Sequence, residues 1–161
     1  KILDELNKGV SYTLRQTDLE DNTVRDGMDI TLCSFNQKTA ELQFAGAYNP
    51  LWLARDGEIT EYKVNKFPIG NSKSGEPQNF TNQSLQLKKG DSIYIFSDGY
   101  CDQFGGADGK KFKSSNFKRL ILSVQHLSMD TQRIALNDAI EKWRGEHEQV
   151  DDILVIGMRY E

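Results

Sequence analysis

Gly90-Asp91-Ser92-Ile93-Tyr94-Ile95-Phe96-Ser97-Asp98-Gly99 is the stretch whose reading decides the fold of this chain. A turn pair, Gly90-Asp91, opens a run of β-forming residues, and the run stops on a carboxylate followed by glycine. Ile93, Tyr94, Ile95 and Phe96 are apolar in succession, which suits a strand covered on both faces, although periodicity alone leaves a buried helix open. Asp98 then stands where a core strand leaves its sheet. A rigid strand can aim that carboxylate at a cation, with Gly99 letting another group approach. An Asx-type turn that merely ends the strand uses the same residues.

Near the C-terminus a second apolar run, Ile153-Leu154-Val155-Ile156-Gly157-Met158, follows Gln149-Val150-Asp151-Asp152. Asp98 closes one predicted strand and Asp151 opens the other. If the two strands are antiparallel neighbours, both carboxylates fall at the same edge of the sheet. Such an edge suits a hard cation: Mg²⁺ or Mn²⁺ takes carboxylate and water oxygens, and two such ions near a phosphate orient and deprotonate a water. Two carboxylates alone are too few for a two-ion site, and solvated acidic strand ends remain the competing reading.

Outward from these strands the pattern is antiparallel. Ile2, Leu6, Val10 and Leu14, with Leu3 beside them, give residues 1–14 one apolar helical face. A polar loop over 16–27 leads to a strand over 28–35, with Met28, Ile30 and Leu32 on one face. Hairpin-turn chemistry at 36–39, alternation over 41–46, a compact strand over 51–54 and the Asp56-Gly57 turn into 59–64 read as an antiparallel meander. A long connection contains Phe67-Pro68-Ile69-Gly70 and the polar run 71–78; connections of this kind serve as functional flaps or are simply mobile. Leu85 and Leu87 mark a short strand, and 99–113 reads as irregular, with a Gly105-Gly106 pair that lacks the other residues of a phosphate loop. Two helices follow, on Phe117, Leu120, Ile121 and Val124 and on Leu136, Ala139, Ile140 and Trp143. The second is read as capped by Asp130 and stopped by Gly145. Helix, strands, two helices, strand is the order of an α+β layered domain.

Composition narrows the classes of function. In 161 residues, 37% apolar and 27% charged content is that of a soluble globular protein, read as a single domain over 1–161. The apolar runs are too short for a bilayer, and the N-terminal residues have no signal-peptide layout. Cys33 and Cys101 lack metal spacing and read as reduced cysteines of a cytoplasmic protein. A net charge of -4 with scattered Lys and Arg argues against nucleic acid as a partner. His126 and His147 read as surface residues, and Trp52, Trp143, Phe44 and Phe96 as core. No Ser/His/Asp set can be argued from the sequence. Asp29 reads as strand entry or as acidic decoration of the same sheet edge. Lys110, Lys111 and Lys113 read either as a solvated loop or as attraction for a phosphoryl group.

Four motifs carry a more specific signal. Ala45-Gly46-Ala47-Tyr48-Asn49-Pro50-Leu51, Phe67-Pro68-Ile69-Gly70, Gly90-Asp91 through Ser97-Asp98-Gly99, and Gln149-Val150-Asp151-Asp152-Ile153 resemble, in order and spacing, the SpoIIE-like group of metal-dependent (PPM-type) serine/threonine protein phosphatases. The resemblance implies two antiparallel β-sheets packed face to face with flanking helices, an α-β-β-α layered sandwich. It implies a Mn²⁺ or Mg²⁺ two-metal site for which Asp98 and Asp151 are ligands, while Gly99 and Asp152 shape the site and Pro68 and Gly70 belong to a flap or loop. It also implies hydrolysis of phosphoserine or phosphothreonine on a regulatory protein of bacterial signalling, such as an anti-sigma-factor antagonist, at the cytoplasmic end of a larger sensor protein.

The group's Gly-Asp-Phe-Tyr-like strand, whose aspartate bridges both metals, and its Asp-x-Thr-Gly-His-Gly motif do not occur in this sequence. The chain is therefore expected to be the C-terminal portion of a SpoIIE-like phosphatase domain, incomplete, with little or no activity of its own. Missing strands are expected to leave sheet edges that invite self-association. The alternative of a different class is a non-catalytic phosphatase-like module that binds a protein partner. A ligand-binding antiparallel sandwich unrelated to phosphatases is the generic third.

Overall fold

The structure, a computed structural model, describes residues 1–14, 16, 26–70 and 78–161; most of the loop read over 16–27 and of the polar run 71–78 lies outside the described residues. The elements are α1 (Ile2–Thr13), β1 (Ile30–Asn36), β2 (Glu41–Ala47), β3 (Leu51–Arg55), β4 (Glu58–Tyr62), β5 (Gln83–Gln86), β6 (Ser92–Phe96), α2 (Gly99–Asp102), β7 (Phe104–Gly105), β8 (Lys110–Lys111), α3 (Ser114–Val124), α4 (Met129–Arg144) and β9 (Val155–Arg159). They group into two compact units, Lys1–Pro50 with Lys63–Leu87 and Leu51–Tyr62 with Lys88–Glu161.

The first unit is built on a three-stranded antiparallel sheet ordered β1-β2-β5. Asn36 ends β1 and turns the chain by accepting the N–H groups of Lys38 and Thr39 on its carboxamide oxygen. Leu42 and Phe44 alternate into the core as the period of a strand requires. A cluster of Leu3, Ala47, Ile69 and Phe80 ties α1 to this unit. The buried stripe of α1 is centred on Leu3 and Asn7, and Ile2 is 70% exposed, so the helical face is rotated from the one the four-residue spacing suggested. Asn7 takes a core position because its side chain accepts the Gly70 N–H at 2.6 Å, a pairing that hydropathy does not reveal.

The second unit carries the four-stranded antiparallel sheet β4-β3-β6-β9. Consecutive strands β2 and β3 lie in different sheets, so the predicted single meander is in fact two hairpins. The chain leaves the first through Tyr48, a non-glycine residue at φ 60°. Asp56 and Gly57 both have positive φ, as a two-residue type I′ hairpin demands. Strand β6 lies between β3 and β9, and Ser92, Ile93, Tyr94 and Phe96 are buried, which agrees with a strand covered on both faces.

Against this sheet, Phe117 and Ile121 of α3 and Leu136 and Ile140 of α4 join Trp52, Tyr94, Phe96 and Tyr100 in one apolar cluster. The stripes predicted for both helices are thus the buried ones. Ser128, rather than Asp130, caps α4: its hydroxyl accepts the Thr131 N–H, and Asp130 falls within the first turn. Gly145 stops the helix at φ 55°, its N–H returning to the Glu141 carbonyl. The Gly105-Gly106 pair is a packing device. A Cβ on Gly105 would collide with the Trp143 carbonyl, which accepts the Gly106 N–H at 2.8 Å.

Candidate functional site

The ladder between β6 and β9 ends at Phe96 opposite Val155, and Ser97 extends it with a side chain. The Ser97 N–H donates to the Leu154 carbonyl, and its hydroxyl donates to the Asp152 carbonyl at 2.7 Å while accepting the Leu154 N–H at 2.9 Å. This clasp draws 151–154 against the end of β6. Asp98 comes next, at helical backbone angles as the cap of α2, yet its carboxylate makes no capping hydrogen bond. The side chain is therefore not serving as an Asx turn.

Gly99 has no room for a side chain. A Cβ there would stand 3.0 Å from the Asp152 carbonyl carbon and closer still to its oxygen, with the Asp151 carbonyl at 3.3 Å. The absence of a Cβ is what lets the Asp151-Asp152 backbone lie across the start of α2. Gln103 supports the approaching segment from behind, its buried amide donating to the Glu148 carbonyl at 2.9 Å. Asp151 is steadied locally: its Oδ1 accepts the Asp152 N–H at 2.7 Å, and its carbonyl accepts the Gln149 side chain.

Antiparallel pairing of β6 with β9 thus brings Asp98 and Asp151, 53 positions apart in sequence, to one sheet edge. Both are exposed to solvent. Partial burial pushes the Asp98 carboxyl above its ordinary range, and the charges of Asp151 and Asp102 push the same way, as does a hydrogen bond shared with Asp151. Asp102 is a member that sequence reading missed. It lies one helical turn after Asp98, its N–H donating to the Asp98 carbonyl, and its carboxylate holds Lys111 Nζ at 2.6 Å. The i, i+4 spacing from Asp98 was the signal available for it.

The model of the family described as Stage II sporulation protein E (SpoIIE) matches residues 1–161. The chain belongs to the SpoIIE family. No curated protein sequence matches it. Among solved structures, the SiaA-PP2C domain of Pseudomonas aeruginosa is similar at 26% identity and TM-score 0.79, over 99% of this chain and 66% of that one. The phosphatase domain of the cell fate determinant SpoIIE from Bacillus subtilis is similar at 15% identity and TM-score 0.59, over 98% of this chain and 71% of that one. The RsbU and RsbW domains of a Mycobacterium tuberculosis protein match at 18% identity and TM-score 0.65, over 94% of this chain and 40% of that one. The SpoIIE-family chain has the mixed α/β, antiparallel-sheet fold of these PP2C phosphatase domains and spans just under two thirds of the SiaA domain.

PP2C phosphatases depend on Mn²⁺ or Mg²⁺, which makes the donor set at this edge the relevant test. Two neighbouring carboxylates open to water suit one hydrated divalent ion, which keeps several waters and takes one or two protein oxygens. Among the described residues, no group of three or more His, Cys, Asp and Glu side chains could hold a metal ion. Asp152 presents its backbone to Ser97 and Gly99, and its side chain is exposed.

Pro68 and Gly70 belong to the other unit. Ile69 pairs with Met28 through both backbone hydrogen bonds, Pro68 packs against Gly27, and Gly70, at φ 77°, faces Val10 and Gln16 beyond its bond to Asn7. His126 and His147 are exposed, Cys33 and Cys101 are free thiols, and Phe44, Trp52 and Phe96 are core residues. Among the described residues, no helix is long and apolar enough to cross a membrane.

Proposed function

We propose that this SpoIIE-family chain serves, within a longer protein, as the C-terminal portion of a metal-dependent phosphatase domain that hydrolyses phosphoserine or phosphothreonine on a regulatory protein of bacterial signalling. The observation that carries the reading is the approach at Gly99. Side-chain-free backbone at Gly99 seats the Asp151-Asp152 segment beside the end of β6 that carries Asp98. Like charges are not brought together at an exposed edge to stabilise a fold, and a Mn²⁺ or Mg²⁺ ion between them relieves the repulsion. Asp98 and Asp151 would hold a divalent ion, which when bound would supply charge neutralisation for the phosphoryl oxygens and a water of lowered pKa. The chain's own share is to hold the backbone that carries both carboxylates, through the Ser97 clasp on the Asp152 carbonyl and the Gln149 side chain on the Asp151 carbonyl.

With two donors rather than a full set, the 161-residue chain turns over little or no substrate by itself. Assay against p-nitrophenyl phosphate with Mn²⁺ checks this: a rate equal to that of a longer, catalytically complete version overturns it. In that longer version, Asp98→Asn lowers turnover at least about a hundred-fold through loss of metal-assisted catalysis, and full activity sinks the ligand assignment. The partner we infer is a phosphorylated protein of the anti-sigma-factor-antagonist type, supported by the similarity to a protein carrying RsbU and RsbW domains. The cytoplasmic end of a sensor protein is the location such a partner requires.

The second reading, a non-catalytic phosphatase-like module that binds a protein or itself, has its own support. Leu154 and Ile156 are 57% and 50% exposed beside and on β9, which among the described residues pairs on one side only. Sedimentation of the chain with and without Leu154→Lys and Ile156→Lys separates the two: concentration-dependent dimers lost in the double variant favour the module.

A further inference from the structure

We propose that Lys111 is the residue that recognises the substrate's phosphoryl group at the Asp98–Asp151 edge, and that it acts in opposite senses on the two ligands, drawing the phosphate in while weakening the hold on the cation. The inference rests on the reading of Asp98 and Asp151 as cation ligands.

Lys111 sits on the β7–β8 hairpin, opposite Phe104, whose ring lies 5.9 Å from Nζ. The hairpin is short but not loose. Buried Gly105 abuts the Trp143 carbonyl on one side, and buried Phe112 stacks edge-on to Tyr100 and Trp143 on the other. The Phe112 N–H donates to the Gln103 carbonyl, and the Lys113 N–H donates to the Cys101 carbonyl at 2.7 Å. Both anchors are on or directly after α2, the one-turn helix that Asp98 caps. The same turn carries Asp102, whose carboxylate holds Nζ at 2.6 Å. Lys111 thus pairs with the carboxylate one helical turn after Asp98, on a hairpin whose backbone is anchored to α2 and the residue after it.

The ammonium is also available. Lys111 and Asp102 side chains are 45% and 43% exposed, so the pair is a weak, wet one that a better anion can displace. A phosphoryl group at the edge offers three strong acceptor oxygens and more charge than a single carboxylate, and a lysine is a flexible point-charge donor to it. Lys110, its neighbour on the strand, is instead turned to Asp108 at 3.0 Å.

The opposite signs distinguish recognition from support. Removing a cation near two carboxylates raises their affinity for a divalent ion, by about three-fold for an exposed charge at moderate ionic strength. Removing a phosphate donor lowers phosphate affinity by roughly five-fold. A residue that merely props the hairpin moves both affinities downward. The experiment titrates the 161-residue chain with Mn²⁺ alone, followed by the electron paramagnetic resonance of the free ion, and with inorganic phosphate in the presence of Mg²⁺, followed by calorimetry.

Lys111→Ala and Lys111→Gln are expected to tighten Mn²⁺ and weaken phosphate, and Lys111→Arg to restore both. Affinities that stay where they were, or fall together, overturn the assignment while the metal reading stands. An unsubstituted chain that takes up no Mn²⁺, or an Asp98→Asn chain that takes it up equally well, overturns the metal reading and this proposal with it.

Discussion

Asp91 and Asp98 bracket strand β6, and the two ends of one strand hold the same side chain in opposite ways. Asp91 is 2% exposed and receives the fork of Arg55, Nε at 2.8 Å on one oxygen and Nη2 at 2.5 Å on the other. The Lys88 N–H adds a third bond at 2.7 Å. Burial alone would push this carboxyl up, but the Arg55 fork and the Lys88 N–H outweigh it and hold the group below its ordinary range. Asp98 is exposed, and partial burial together with the charges of Asp151 and Asp102 pushes it upward. A carboxylate whose lone pairs are all met inside the protein belongs to the fold. One set beside its like, with its charge disfavoured, belongs to something the fold is waiting for.

The largest effect expected from breaking this comparison is at the structural end. Asp91→Asn strips Arg55 of its counter-charge in a mostly desolvated place. Because Arg55 is 28% exposed, the loss is set somewhat below that of a fully buried pair, at about 2–3 kcal/mol. Urea unfolding measures it, and a variant as stable as the parent would reduce the pair to decoration. The pH dependence has a definite sign. With a depressed folded pKa, the stabilisation from Asp91 is present above 3.8 and is lost as pH falls through the lower folded value. The Asn variant therefore lacks that part of the acid limb.

The glycines at the two ends differ in the same way. Gly90, at φ 91°, has open space where a Cβ would go, so Gly90→Ala costs only backbone strain, about 1 kcal/mol, and leaves cation binding alone. Gly99 has an ordinary φ and no space, and Gly99→Ala forces the Asp151-Asp152 backbone outward at a cost of about 2 kcal/mol. It should also weaken Mn²⁺ binding, since the two carboxylates no longer converge. Calorimetric titration of both variants sharpens the contrast, and equal Mn²⁺ affinities would remove the cradle from the account.

These differences explain what could be read from the sequence. The apolar run in β6 and the stripes on α3 and α4 were legible because burial there follows simple periods. The meeting of Asp98 with Asp151 was legible because antiparallel neighbours put the end of one strand beside the start of the other. Asn7, Gln103 and Gln132 were not legible, because each is buried by virtue of a partner far away in sequence: the Gly70 N–H, the Glu148 carbonyl and the Tyr94 hydroxyl. The passage from one sheet to the other at Tyr48 was hidden too, since two hairpins and one meander share the same alternation. Lys111 read either as a solvated loop lysine or as attraction for a phosphoryl group, and its pairing with Asp102 across the hairpin was not legible.

The smallest effect on stability is the most discriminating one. Because the folded state holds the Asp98 proton more tightly than an unfolded chain does, its contribution to stability is fully present below 3.8 and is lost as pH rises through the raised folded value. At neutral pH without metal, Asp98→Asn should therefore make the chain more stable, by less than about 1 kcal/mol after solvent screening of so exposed a group. Adding Mn²⁺ reverses the order, since a ligand that binds only the folded state stabilises the parent in proportion to the logarithm of its concentration over Kd and does nothing for the variant. Thermal unfolding at pH 7, with and without the ion, reads both halves. A metal-free variant that melts below the parent would mean that Asp98, like Asp91, is there to hold the strand. The difference between the two ends of β6 would then be one of burial alone.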